Sequence, residues 1–315
     1  MARPAALRSA GTAPLLAAVA ALAACGGMRP SPAAAPLALP DPVQIVDVAS
    51  GTTLTPAALA DRLRAAEFVL LGEQHDNPAH HRVRAALLSS VGGDRASVVF
   101  EHWPRGTVAL PGTGEPRVAW LDRTGFDRTG WRWPLHEPLV DAVLASGRTW
   151  RGSNVSREAL RDVVRRGSDG APPELAAVMR RVPLDSAARA VIDAEIVTGH
   201  CGQLPASMVP GMRDAQVVRD VAMATAMLDA RASGTPWLVA GNGHVRSDVA
   251  VPRWLAAQAP GARVLAVGFM ELGADGARPA LPPASMYEVV VFTAPATRPD
   301  ACATFKAPAA PRPPQ

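Results

Sequence analysis

Lysine and tyrosine are almost missing from this chain: Lys306 is the only lysine and Tyr287 the only tyrosine. No Gly-Lys-Ser/Thr phosphate loop occurs and no Gly-x-Ser-x-Gly elbow, which removes P-loop nucleotide hydrolysis and an ordinary serine hydrolase. Charged residues make up 19% and aromatics 4%, the former below the roughly 25% usual for globular proteins. With 48% hydrophobic residues, a wholly disordered chain is nevertheless excluded. The pI of 9.6 reflects a surplus of +4 carried almost entirely by arginine, too small to imply a nucleic-acid partner. Cysteine is scarce as well. Cys25, Cys201 and Cys302 have no CxxC neighbour, which argues against a cysteine-bound structural zinc. At 315 residues, the chain can bury a sizeable core without disulfide staples.

The apolar run Leu15–Ala24 covers ten residues, about 15 Å of helix and half of what a membrane span needs. Preceded by Arg3 and Arg8, it reads as an export signal over 1–24. It ends Leu22-Ala23-Ala24-Cys25-Gly26, which resembles a bacterial lipobox and makes Cys25 the expected lipidation site. Gly26, in place of an aspartate, points to the outer membrane, facing the periplasm. Removing the leader takes two arginines and no acid, leaving a net charge near zero and no case for nucleic acid. Residues 25–42, rich in Pro, Ala and Ser, read as a tether, and 306–315 as a disordered tail. In an oxidising compartment the remaining pair, Cys201 and Cys302, is expected to form a disulfide.

Between these ends the pattern predicts an α/β domain over 43–305, with a mostly parallel sheet flanked by helices. Short continuous apolar runs (68–71, 97–100, 149–152, 237–240, 263–269, 287–292) read as strands buried on both faces. Asn77 and Pro78 supply an N-cap and an N1 proline for a helix through about Ser90. A long helix is expected over 217–230. The stretch 156–210 has helical periodicity and no convincing strand, and reads as a smaller helical insertion.

Polar chemistry follows nearly every strand: Glu73 and His75, Glu101 and His102, Asn154, His244 and Arg246, Glu271. In open parallel sheets that edge is where ligands bind. Gly72-Glu73-Gln74-His75 and Gly241-Asn242-Gly243-His244 are two GxxH turns in matched positions. The set could hold a divalent metal through His75, Glu101 and His244. It could also work as a hydrolase with Glu73, His75, Glu101 and His244 as catalytic groups, or bind haem. His81 is expected to face the crevice and His80 the surface. His200 reads as a surface-loop residue, and Trp131 and Trp133, upstream of His136, as covers of the core.

Several segments together resemble the ChaN family of haem-binding lipoproteins, within the wider Tiki/TraB/erythromycin-esterase-like superfamily. They are Leu71 to His81, Phe100-Glu101-His102, Gly130 to Pro134, Gly152-Ser153-Asn154, Asp220 to Ala224 and Ala240 to Val245. The resemblance implies haem handling for iron uptake, with two haems stacked between two monomers, and hence a homodimer. It implies an iron-ligating tyrosine, and a histidine and a lysine on the propionates. Here His136 stands near the position where the family carries a tyrosine, and arginines would replace lysine. The expected haem contacts are therefore His75, His81, His102, His136, His244 and Arg246. Haem, an outer-membrane receptor and the membrane itself, through the lipid anchor, are the expected partners. A divalent metal is the alternative cofactor.

Overall fold

Alternate residues of each apolar strand go to opposite faces, and this is how the two cores divide. The computed structural model describes residues 37–92, 95–300, 302, 303 and 305. The leader, Cys25, most of the tether and Lys306 with the tail lie outside the described residues. Eight strands form one sheet: β1 (Gln44–Asp47), β2 (Thr53–Leu54), β3 (Phe68–Leu71), β4 (Ala96–Pro104), β5 (Trp150–Asn154), β6 (Thr235–Val239), β7 (Val264–Glu271) and β8 (Val289–Thr293). Their order is β2-β1-β8-β7-β3-β6-β4-β5. The six from β3 to β8 pair in parallel, and β1 and β2 add an antiparallel edge beside β8. The α/β, mostly parallel architecture is as the sequence predicts. Only the short edge pair was not anticipated.

Phe68, Leu70, Leu238, Ala266 and Val290 belong to one core, and Val69, Leu71, Val239, Val267 and Val291 to the other. The second core is closed by α1 (Pro56–Ala65), α2 (Pro78–Ser90), α3 (Arg117–Arg123) and α4 (Glu137–Ala145). On the first face lie α5 (Arg157–Arg166), α6 (Pro173–Arg181), α7 (Ser186–Gly199), α8 (Val209–Ala230), a single turn α9 (Asn242–Val245) and α10 (Val251–Gln258). The segment read as a helical insertion holds α5 to α7 and no strand, and these helices pack along α8. Helix α8 starts eight residues before the expected Val217. Pro210 sits in its first turn, where a missing N–H costs nothing. Helix α2 begins and ends as expected. Asn77 accepts from Ala79 N at 2.8 Å, capping the helix, and Pro78 takes the first helical position.

One strand is longer than its apolar run. Strand β4 continues through Glu101, His102 and Trp103 to Pro104, paired to β5 with an irregularity after Phe100. Glu101 and His102 thus lie inside the end of a strand and not beyond it. Cys201 and Cys302 are joined by a disulfide. Among the described residues no helix is long and apolar enough to cross a membrane.

Candidate functional site

The two GxxH turns are joined to each other. Gly72 N donates to Val267 O at 2.8 Å, and Asn242 Oδ1 comes within 2.2 Å of where a Cβ on Gly72 would lie. Only glycine admits that approach. Asn242 N donates to Glu73 O at 2.9 Å, and its side chain pairs with both backbone groups of Phe269. A Cβ on Gly241 would in turn stand 2.8 Å from His75 Nε2. The ring of the first turn therefore lies against the backbone of the second.

Glu73 is fully buried and has five partners. Its Oε1 is 2.5 Å from His75 Nδ1, 3.1 Å from His102 Nε2 and 3.5 Å from His136 Nε2. Its Oε2 pairs with Arg84 and lies 3.2 Å from His81 Nδ1. Arg84 follows His81 by three residues, on the same face of α2, and donates to His81 Nδ1 at 2.9 Å. Ring centroids of His102 lie 4.3 Å from His136 and 4.5 Å from Trp131, and those of His81 and His136 are 4.1 Å apart. Burial disfavours the charged ring. It pulls His81 down to about 4 and lowers His75, His102 and His136 as well. The imidazoles are therefore neutral at physiological pH and free to donate, accept or ligate. Donor atoms of Glu73, His75, His102 and His136 all lie within 4.8 Å of one another.

Glu101 organises a second group. Its Oε2 accepts from Gly241 N at 2.7 Å, and its Oε1 lies 3.4 Å from His244 Nε2. The other ring nitrogen, His244 Nδ1, is 2.6 Å from Asp220 Oδ1. Burial alone would lower the His244 pKa, but the carboxylates of Glu101 and Asp220 outweigh it and push it up to about 10. Glu101 is correspondingly held well below the usual carboxylate range: burial opposes ionisation, and His244 and His75 overcome it. His244 is an imidazolium at neutral pH. It fixes two carboxylates and has no lone pair with which to act as a base.

A cleft of about 520 Å³ opens over both groups, with His75, Glu101 and His102 on its floor and Trp131, Leu160, Arg157 and Arg219 among its walls. The His75 side chain is 45% exposed and the His102 side chain 1%. Glu73 and His136 lie behind the wall. The profile of the family described as "Haem-binding uptake, Tiki superfamily, ChaN" matches residues 59–255, more than half of the chain.

The chain belongs to the ChaN family. The solved structure described as "Cofacial heme binding to ChaN of Campylobacter jejuni" resembles it with a TM-score of 0.60 at 18% identity, covering 80% of this chain and 96% of that one. More distant are the type III effector HopBA1 (TM-score 0.41, 13% identity, 75% of this chain and 92% of that) and the erythromycin esterase EreC (0.40, 15%, 76% and 79%). None of the curated proteins matches.

This ChaN-family chain brings Glu73, His75, His81, His102 and His136 together, and sets Glu101 and His244 beside them. The donors that converge on one point are Glu73, His75, His102 and His136, whereas the metal set expected from the sequence was His75, Glu101 and His244. Arg246 is not brought to the cluster. It is buried and engaged by Asp248 and Glu195. His80 corrects the expectation of a surface ring: it is fully buried, accepting from Gln74 N at 3.0 Å and packing edge-on to Phe269. The turn after β3 folds back over the start of α2 and covers it. Glu271 accepts from Asn77 Nδ2 and pairs with Arg298, so it anchors a helix start. His200 is half-buried at the end of α7, its Nδ1 2.7 Å from Ile196 O. Tyr287 is buried, and its hydroxyl donates to Asn242 O at 3.2 Å. Arg84 and Asp220 were given no role from the sequence. The i, i+3 spacing from His81 could have pointed to Arg84; Asp220 was marked only by the resemblance of the segment Asp220 to Ala224.

Proposed function

We propose that this chain is a lipid-anchored envelope protein that takes haem into the cleft before His75 and Trp131 and serves haem or iron uptake. The observation that carries this reading is one cleft-facing imidazole held by a buried carboxylate. His75 Nδ1 is fixed by Glu73, leaving Nε2 beside Gly241. Metal-ligating histidines are held in this way, because a carboxylate on the second nitrogen fixes the tautomer and raises ligand basicity. Haem, when bound, would supply an iron that takes nitrogen ligands and a flat apolar ring bearing two carboxylates.

The residues at the cleft fit that group. His75 would offer a nitrogen to the iron, and Trp131, with its ring centroid 5.0 Å from that of His75, would offer an apolar face. Arg157 and Arg219 stand on the same cleft, with the forked geometry that suits carboxylates. Tyr287, tied to Asn242, does not take the ligand role here, and His136 lies behind His102. The motif ending in Cys25 supports lipid attachment, and the Cys201–Cys302 bond suits an oxidising compartment. Dimerisation on haem and delivery by an outer-membrane receptor complete the proposal.

Titration of the purified protein with hemin tests it. A saturable Soret shift at micromolar hemin is expected, lost in His75→Ala, with size-exclusion chromatography reporting dimerisation. The absence of any saturable shift overturns the reading. A shift lost in His136→Ala and kept in His75→Ala transfers the iron to the deeper ring.

A further inference from the structure

Behind the cleft wall, Glu73 presents one oxygen, Oε1, to three ring nitrogens at 2.5, 3.1 and 3.5 Å. A carboxylate oxygen accepts about two hydrogen bonds, and Oε1 has three imidazoles turned toward it. If all three rings carry their protons on this side, Nδ1 of His102 and Nδ1 of His136 become bare lone pairs. Both atoms are enclosed without a partner, an arrangement costing on the order of 1–3 kcal/mol for each. If the protons sit on the far side, lone pairs face the carboxylate. A cation among these atoms turns that repulsion into ligation.

We propose that Glu73, His75, His102 and His136 bind a bare divalent transition-metal ion of the zinc or cobalt kind, apart from any iron held in haem. Three imidazoles and one carboxylate are a donor set such ions take in four-coordinate sites. The far oxygen, Oε2, is already engaged by Arg84 and His81, and His81 Nε2 lies 3.1 Å from His75 O. These contacts aim Oε1 at the three rings as outer partners aim the ligands of a metal centre. Of the four donors, His75 and His102 line the cleft, which gives the ion its way in; a neutral His75 has a single lone pair, so it serves the ion or haem one at a time.

The full chain, stripped with a chelator and titrated with Co²⁺ in the absence of haem, tests the site. Saturable uptake of about one equivalent is expected, with the intense visible bands of four-coordinate cobalt. Zn²⁺ should displace the cobalt and raise the melting temperature of the unmutated protein. His136→Gln, at a position that does not itself line the cleft, should weaken uptake by at least about tenfold, and His200→Gln should leave it unchanged. No saturable uptake by the folded, stripped protein, or uptake unaffected by His136→Gln, overturns the proposal. The two readings separate in the same preparation: hemin binding without cobalt binding removes the metal site alone, and cobalt without hemin removes the haem proposal alone.

Discussion

At His244 both ring nitrogens face carboxylates, from Glu101 and Asp220; at His102 one nitrogen faces Glu73 and the other faces nothing. Both rings are buried to a similar degree, so burial does not decide their charge. The balance of neighbouring charges does. Glu101 and Asp220 pair with His244, overcome desolvation and keep it protonated, whereas at His102 burial dominates and Arg84 opposes the pull of Glu101, so the ring is neutral. A pH dependence follows with a definite sign. His244 has its folded pKa raised from 6.5 to about 10, so its contribution to stability is complete below the unfolded value and fades as pH rises through the folded one. The melting temperature of the unmutated protein is expected to exceed that of His244→Gln most up to about pH 6.5, with the gap closing toward pH ~10. A constant gap across that range, in paired thermal melts, would show that His244 is not held charged. At this scale the sequence exposes residue types and their spacing. It assigned His80 to the surface, whereas both neighbouring rings are buried, because what covers them depends on how the preceding turn folds back.

At the scale of elements, the starts are legible and the ends less so. Asn77-Pro78 marks the first residue of α2 because an N-cap side chain and an N1 proline satisfy the helix end locally. The end of β4 was misplaced for the opposite reason. Glu101 and His102 look like loop residues by polarity, yet they stay in the strand because Gly241 N, His244 and Glu73 supply partners from elsewhere. Asn77 also has a tertiary role, since its Nδ2 donates to Glu271 at 2.7 Å and to Ala294 O at 3.0 Å. Asn77→Ala is therefore expected to cost about 2 kcal/mol, the upper end for a lost N-cap, read as a lowered urea midpoint with an unchanged slope. A loss of about 1 kcal/mol or less, the usual worth of an N-cap alone, would mean that the Glu271 and Ala294 contacts contribute nothing.

Across the whole molecule, a six-stranded parallel array carries helices on both faces and collects polar groups at the carboxyl end of β3, β4 and β6. The disulfide acts at this scale, closing a sequence separation of 101 residues. On the chain-entropy model such a loop contributes about 4–5 kcal/mol. Cys201→Ser is expected to lower unfolding stability by that order while hemin affinity stays the same, because neither Cys201 nor Cys302 lines the cleft; an unchanged denaturation midpoint would rule out this constraint. The parallel sheet was legible because its strands are buried on both sides and so carry unbroken apolar runs. Strands β1 and β2 were not, because four and two residues are too few for a periodic signal.

From its residues alone, this chain determined the strands of its core, the capped start of α2 and the two glycine turns that carry histidine, all set by neighbours a few positions away. Only the tertiary structure decided that one carboxylate gathers His75, His102 and His136, that Arg84 takes its other oxygen, and that Asp220 completes the pair on His244. Those partners lie tens to hundreds of residues apart, and charge and ligation depend on which groups share a buried space, which packing fixes and local sequence does not.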